Sequence, residues 1–367
     1  MNKLLGVLVL FFLLIFTQIG WAELEKENGY YTMSDGKNII LQTGIKLGPG
    51  DVFYDSEDRE YRVKKMEGKN ALVEQVRQKQ SCLTPFERLL TAQVMSFGGR
   101  IAQNKTDRPI VIYHTHSDES YEPSEGTHSV SGQGGIFKVG AAMAKGYEEA
   151  GITVKQSYTT HEPHDGMAYD RSRRTAAQLM QQNPLTEFDV HRDAAEREQY
   201  AKEINGREIA QVLFVIGNQN PNYQTNLEYA KELKETANSR YPGLSKGVLV
   251  TSGKFNQDLS PNNLLLEFGG HKNTRESAEA TASLFAAATA DAVLARGGIK
   301  SGNSSQDNGI TRTAAEGQNK AVGSSLIYWI VGILLVGGAF FLIDERRWEA
   351  IKTKTKRLQD EHRKNKK

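Results

Sequence analysis

Three short runs carry the residues whose types and spacing could do chemistry. Tyr113-His114-Thr115-His116 is followed three positions later by Glu119, Asp189-Val190-His191-Arg192-Asp193 is the second run, and Leu264-Leu265-Leu266-Glu267-Phe268 places one acid in an otherwise apolar stretch. Two histidines and a glutamate, with a fourth position left to water, form a known catalytic zinc arrangement, and a further glutamate can take the proton from that water. His116 and Glu119 are close enough in sequence to reach one ion, and His191 would close the set from a different segment. The His-x-x-Glu spacing is weak alone. Its weight comes from coinciding with the His-Arg-Asp run and with a glutamate that ends an apolar strand.

Glu267 is flanked by leucines and a phenylalanine, so its carboxylate is expected to be half buried. Burial raises a carboxyl pKa, which suits a general base. A carboxylate paired with an arginine or a helix N-terminus fits the same local sequence, and the two readings stay open. His114, two residues from His116, is expected to share its face in a strand, as an alternative ligand or an outer-shell partner. His271 reads as a surface or pocket-rim residue, and Asp193 is the next candidate base after Glu267. Rival templates are weaker: Cys82 has no nucleophile signature, and Ser172 and Ser252 lack the G-x-S-x-G turn. Gly132-Gln133-Gly134-Gly135 before a helix could bind an anion or serve as a flexible active-site loop.

The elements that must position these residues are read from periodicity. From Pro109 onward, apolar runs (PIVIYH, ITVKQ, FDVH, VLFVIG, GVLVTS, LLLEFG) alternate with helical patterns at 137–150, 170–182, 226–239 and 274–296. That rhythm predicts an α/β domain over 109–296, with a central, mostly buried sheet flanked by helices. In such sheets active sites lie beyond the carboxyl ends of the strands, where the three runs end. Before it, 23–84 reads as a small β-rich module, with strand-like runs at 38–41, 51–54, 61–63 and 71–76 between turn pairs. Residues 85–108 read as a helical connector.

Several of these segments together resemble the stage II sporulation protein P family: VIYHTHSDESYEP, THEPHDGMAYDRSRRT, FDVHRDA, FVIGNQNP and YPGLSKGVLVTSGKFNQDLSPNNLLLEFGGHKNT, in order across about 109–294. The resemblance implies a fold like that of the zinc-dependent cell-wall amidases. It implies Zn2+ held at His116, Glu119 and His191, and Glu267 as catalytic base. It further implies cleavage of peptidoglycan between N-acetylmuramic acid and the stem peptide, with cutting between peptides as well. The setting it implies is the engulfing septum of spore-forming bacteria, beside a lytic transglycosylase, the stage II sporulation protein D, and other engulfment proteins. A wall-binding scaffold that lost turnover, or a zinc peptidase acting on another envelope substrate, would keep the same fold.

The ends of the chain set its location. Residues 1–22 join Lys3 to an apolar run and end in small residues, as in a signal peptide, whereas an anchor at this end is usual in the family. Residues 297–322 are rich in Gly, Ser, Asn and Gln and read as a flexible linker, spanning about 25 Å over most of its length. Residues 323–343 carry no charge and match the length of a transmembrane helix. The tail, 344–367, holds ten Lys or Arg against five Asp or Glu, which places it in the cytoplasm and the catalytic domain outside the cell membrane. Subtracting that tail and Lys3 from the chain's net charge of +2 leaves −4 for the region between, so no basic footprint points to nucleic acid. With Cys82 the single cysteine, no internal disulfide can form. Protease added to intact, wall-stripped cells should therefore remove the catalytic domain and leave a small tail fragment. Cleavage of the tail near Lys364 with survival of the domain would reverse this orientation.

Overall fold

The computed structural model describes residues 29–76 and 106–298. The expected signal peptide, nearly all of the connector (85–108) and of the linker (297–322), the span at 323–343, the tail at 344–367 and Cys82 lie outside the described residues. Five N-terminal strands come first: β1 (Tyr31–Ser34), β2 (Ile39–Thr43), β3 (Val52–Asp55), β4 (Glu60–Glu67) and β5 (Asn70–Val76). Next come β6 (Ile110–Tyr113), α1 (Glu122–Glu125), α2 (Ile136–Glu149), β7 (Val154–Gln156), α3 (Ala168–Met180), β8 (Thr186–Asp193) and α4 (Arg197–Tyr200). A hairpin of β9 (Ala201–Ile204) and β10 (Arg207–Ala210) precedes β11 (Val212–Gly217), α5 (Tyr223–Arg240), β12 (Ser245–Thr251), β13 (Asn263–Gly270) and α6 (Arg275–Arg296).

The fold is α/β, with a large sheet flanked by helices. Eleven strands lie in the order β2-β1-β5-β4-β3-β12-β11-β13-β8-β6-β7. β7, β6, β8 and β13 run parallel, whereas β11 is antiparallel to β13 and parallel to β12. The central strands are buried along their whole length, as expected for a sheet covered on both faces. On one face, Ile110, Ile112, Phe188, Val190, Leu264, Leu266 and Phe268 pack with α2, α5 and α6. On the other, Leu213, Val215, Leu249 and Leu265 meet Ile45 and Leu47 from the segment after β2, and Val111 and Tyr113 meet Ala176 and Leu179 of α3.

The β-rich module is present, and its strands continue the main sheet: β3 pairs antiparallel with β12, Tyr54 opposite Val248 and Asp55 opposite Gly247. Its loop also reaches the upper end of β8, where the Gly44 N–H donates to Asp193 Oδ1 at 2.8 Å. α6 is long and apolar enough to cross a membrane, but it is mostly buried and packs in the core beside α2. It is a core helix.

The β3–β12 seam depends on Gly247, at φ +151°, where an added Cβ would lie 2.2 Å from the Tyr54 carbonyl oxygen and 2.7 Å from the Phe53 ring. A backbone atom cannot yield as a flexible side chain can. Gly247→Ala should cost about 2 kcal/mol or more, whereas Gly50→Ala, at positive φ with open space around it, should cost about 1 kcal/mol. Denaturant midpoints of the two variants check the seam; equal losses would show that it does not need Gly247.

Candidate metal centre

β8 sends Glu187, Asp189, His191 and Asp193 to one face, because alternate residues of a strand share a face. All four are buried, so each needs partners. Glu187 Oε2 accepts from Asn263 Nδ2 at 2.7 Å. Asp189 accepts from the Thr115 N–H at 2.9 Å and the Thr115 hydroxyl at 2.6 Å. Asp193 accepts from Gly44 and, at 2.6 Å, from the Tyr200 hydroxyl, which ties it to the N-terminal module and α4.

His191 meets two carboxylates: Nδ1 lies 3.1 Å from Glu119 Oε1 and Nε2 lies 3.0 Å from Asp189 Oδ1. The second contact is an ion pair without hydrogen-bond alignment. His116 Nδ1 lies 3.3 Å from the same Glu119 Oε1. The three side chains are 1–2% exposed, and one donor atom from each falls within 4.8 Å of the others. They meet although 72 residues separate Glu119 from His191.

Fixed backbone holds the loop that carries them. Segment 118–120 bridges to 128–130, with Ser120 N–H donating to the His128 carbonyl at 2.9 Å and Val130 N–H to the Asp118 carbonyl at 2.8 Å. The buried Arg192 guanidinium donates to the Ser120 and His128 carbonyls, and its backbone N–H donates to Glu119 Oε2 at 2.9 Å. The glycine run is spent here too. Gly134 and Ile136 N–H groups donate to the Ser117 and Glu119 carbonyls, and Gly135 donates to the Ser120 hydroxyl. These donors serve the ligand loop, so the anion-binding alternative for this run is set aside.

The electrostatics are those of a closed, charged cluster. Burial pushes the Glu119 carboxyl up, but the His191 charge and hydrogen bonds from both histidines outweigh it and hold the group well below the usual carboxylate range. For His191, burial favours the neutral ring, yet Asp189 and Glu119 drive its pKa well above normal. His116 is held below its ordinary value by burial and by the neighbouring His164. The two carboxylates thus favour a proton on His191, and a cation bound there would compete with it.

His114 stands apart. β6 ends at Tyr113, so the alternation that would align His114 with His116 does not continue and they do not share a strand face. The His114 ring packs edge-on against Phe137 of α2 at 4.9 Å. Gln156 Nε2 donates both to the Phe137 carbonyl and, at 2.9 Å, to His114 Nε2. Nδ1–H therefore donates to the Val190 carbonyl at 2.8 Å, and burial lowers the ring's pKa to about 4. Both nitrogens are engaged. His271, expected at the surface or a pocket rim, is mostly buried, with Nε2 3.8 Å from Glu122. Glu267 is 4% exposed and stands in register with His191 on the adjacent parallel strand, so the two point to one face at a strand spacing of about 4.8 Å.

Residues beyond the sequence-derived set also reach the cluster. Asp189 was visible as the i−2 neighbour of His191. His164 and Tyr169, which lie against the His116 ring at 4.0 and 5.5 Å between centroids, come from a loop and a helix start with no periodic signal. His116, Glu119 and His191 form a group that could hold a metal ion, so His191→Ala and His116→Ala should each abolish most bound metal while His114→Gln retains it. Metal content of the purified variants checks this; metal retained in His116→Ala but lost in His114→Gln would reassign the first ligand.

Stage II sporulation protein P of Bacillus subtilis (strain 168) is 31% identical over 204 residues, covering 49% of this chain and 50% of the relative; the chain spans about half the length of that protein. Two solved structures are also similar. One is the CwlD amidase of Clostridioides difficile in complex with the GerS lipoprotein (11% identity, TM-score 0.36, 51% of this chain and 99% of that one). The other is the N-acetylmuramyl-L-alanine amidase Ami1 of Mycobacterium smegmatis (14% identity, TM-score 0.34, 51% and 97%). The family model for stage II sporulation protein P (SpoIIP) matches residues 47–290, about two thirds of the chain and the whole of the sheet from β3 to β13, and the chain belongs to that family.

Proposed function

We propose that this protein is a zinc-dependent peptidoglycan hydrolase of sporulation, cutting the amide bond between N-acetylmuramic acid and the stem peptide, and the cross-links between stem peptides as a second activity. One observation carries the metal: His116 Nδ1 and His191 Nδ1 lie 3.3 and 3.1 Å from one Glu119 oxygen. A tetrahedron with zinc–ligand bonds of 2.0–2.1 Å has edges of about 3.3 Å, which both of these distances match, and one donor atom from each of the three residues falls within 4.8 Å of the others. Two imidazoles and a carboxylate also suit zinc chemically. Asp189 behind His191 is the outer carboxylate that such ligands commonly carry.

When bound, zinc would acidify the attacking water and polarise the scissile carbonyl. The chain's own part is proton handling and orientation. Glu267, on the face of His191, takes the proton from the water as it adds to the carbonyl carbon and delivers it to the leaving amine. Asp189 and Glu119 fix the His191 ring, and Arg192 holds the backbone that bears Glu119. The membrane-anchored arrangement, with the domain outside and the tail inside, would keep the enzyme near the wall. A lytic transglycosylase such as the stage II sporulation protein D would then act on the denuded glycan.

Digestion of purified peptidoglycan followed by mass analysis of the fragments tests the substrate bond: free stem peptides with intact glycan indicate an amidase, and cleaved cross-links an endopeptidase. Glu267→Gln keeps shape but cannot accept the proton. Its turnover should fall by about 10²- to 10⁴-fold with zinc content and thermal stability near those of the wild type. Loss of zinc would make Glu267 a ligand; full activity would make it structural.

A further inference from the structure

The two histidines of the cluster are held in different ways. Both far nitrogens, His191 Nε2 and His116 Nε2, are buried without an aligned hydrogen-bond partner among the described residues, but His191 has the Asp189 carboxylate 3.0 Å away as an ion pair. A ligand ring with one free edge can rotate about its Cβ–Cγ bond unless something packs its faces. His164 does so. Its ring lies 4.0 Å from that of His116 at an interplanar angle of 13°, a face-to-face stack, and the Tyr169 ring meets His116 edge-on at 5.5 Å and 73°.

His164 is in turn fixed by Asp118, whose Oδ1 lies 3.0 Å from His164 Nδ1. The other Asp118 oxygen accepts from the Ser129 hydroxyl at 2.5 Å, and the Asp118 carbonyl from the Val130 N–H at 2.8 Å. The loop bearing His164 is anchored at its base by Arg171, which donates to the His161 carbonyl at 2.7 Å and to Asp165 Oδ1 at 2.5 Å. A second tie runs from Glu162 to the Ser131 hydroxyl and the Gly132 N–H. The loops 127–135 and 161–167 are thus joined to each other and to the residue between two proposed ligands.

We propose that Asp118 and His164 are positioning residues that clamp the His116 ring in its metal-binding orientation by stacking. This rests on the zinc reading above. The stack takes the place of the outer carboxylate that His191 has: a flat ring locks the plane of a flat ligand, and Asp118 keeps that ring from turning.

Full-length protein in detergent, titrated with zinc against a chromophoric chelator, provides the test. Loss of an outer-shell partner typically costs about 10- to 100-fold in metal affinity, and His164→Ala should fall in that range. His164→Phe, which keeps the flat face, should stay within a few-fold of the wild type. The cobalt-loaded protein gives a readout that a merely structural role would not move: the visible d–d bands should shift in His164→Ala and not in His164→Phe. Wild-type zinc affinity and unshifted bands in His164→Ala would overturn the proposal, and so would a His164→Phe variant as weak as His164→Ala. If His164→Ala fails to fold, His164→Leu, which fills the space without a flat face, gives the same reading. A wild-type protein that binds no zinc would instead sink the zinc reading itself.

Discussion

A carboxylate that is 1% exposed, as Glu119 is, cannot stand alone in a protein interior, where an uncompensated charge costs several kcal/mol, and much of the surrounding architecture answers that requirement. One Glu119 oxygen is shared by two imidazoles and the other takes a backbone N–H from Arg192. Asp189 brings a second negative charge to the far side of His191. With His191 protonated, the trio of Glu119, Asp189 and His191 carries a net −1; with a divalent cation in place of that proton it is neutral. Charge balance and donor spacing therefore favour the same occupant, and pre-formed spacing means that little must be reorganised when the ion arrives.

The same constraint explains why the sheet is built asymmetrically. β8 is buried on both faces, with Phe188 and Val190 in the helical core on one side and four polar residues on the other. Such a polar column is stable only if each member is satisfied, and its partners come from four parts of the chain: Thr115, Asn263, Tyr200 and the loop at Gly44. The N-terminal module thus supports the polar face of β8. Ile45 and Leu47 cover the sheet beside the column, and Tyr30 donates to Glu196 at 2.8 Å near the same end. Disturbing the module would expose backbone and charge close to β8.

How legible each part was in the sequence depends on the strength of its local signal. The six apolar runs after Pro109 all became strands and the four helical patterns all became helices, because burial on both faces or one leaves a clear period. The β9–β10 hairpin had no such period: its strands are four residues each and partly exposed. His116, Glu119 and His191 could be grouped because ligand chemistry restricts residue types. The strand face expected to carry both His114 and His116 does not form, since β6 stops at Tyr113 and the 117–121 loop, rather than strand alternation, sets how His116 is presented. His164 carries no local signal because its role depends on a ring stack made across 48 positions of sequence.

In the proposed reaction the metal ligands and the base must be aligned, and the backbone after Glu267 ties them together. Glu267 pairs with His191 and Gly270 with Asp193, so three steps on β13 match two on β8, the mark of a bulge that bends a strand and re-aims its side chains. Gly269 takes φ +75°, and a Cβ on Gly270 would lie 2.6 Å from the Ala195 carbonyl oxygen, which accounts for the paired glycines after Glu267-Phe268. Within that bulge the Phe268 carbonyl accepts from the buried Tyr121 hydroxyl at 2.8 Å, and Tyr121 lies two residues beyond Glu119. One hydrogen bond thus links the strand presenting the proposed base to the loop presenting a proposed ligand. A shift in either is transmitted to the other, so the proposed base is held in register with the proposed ligands.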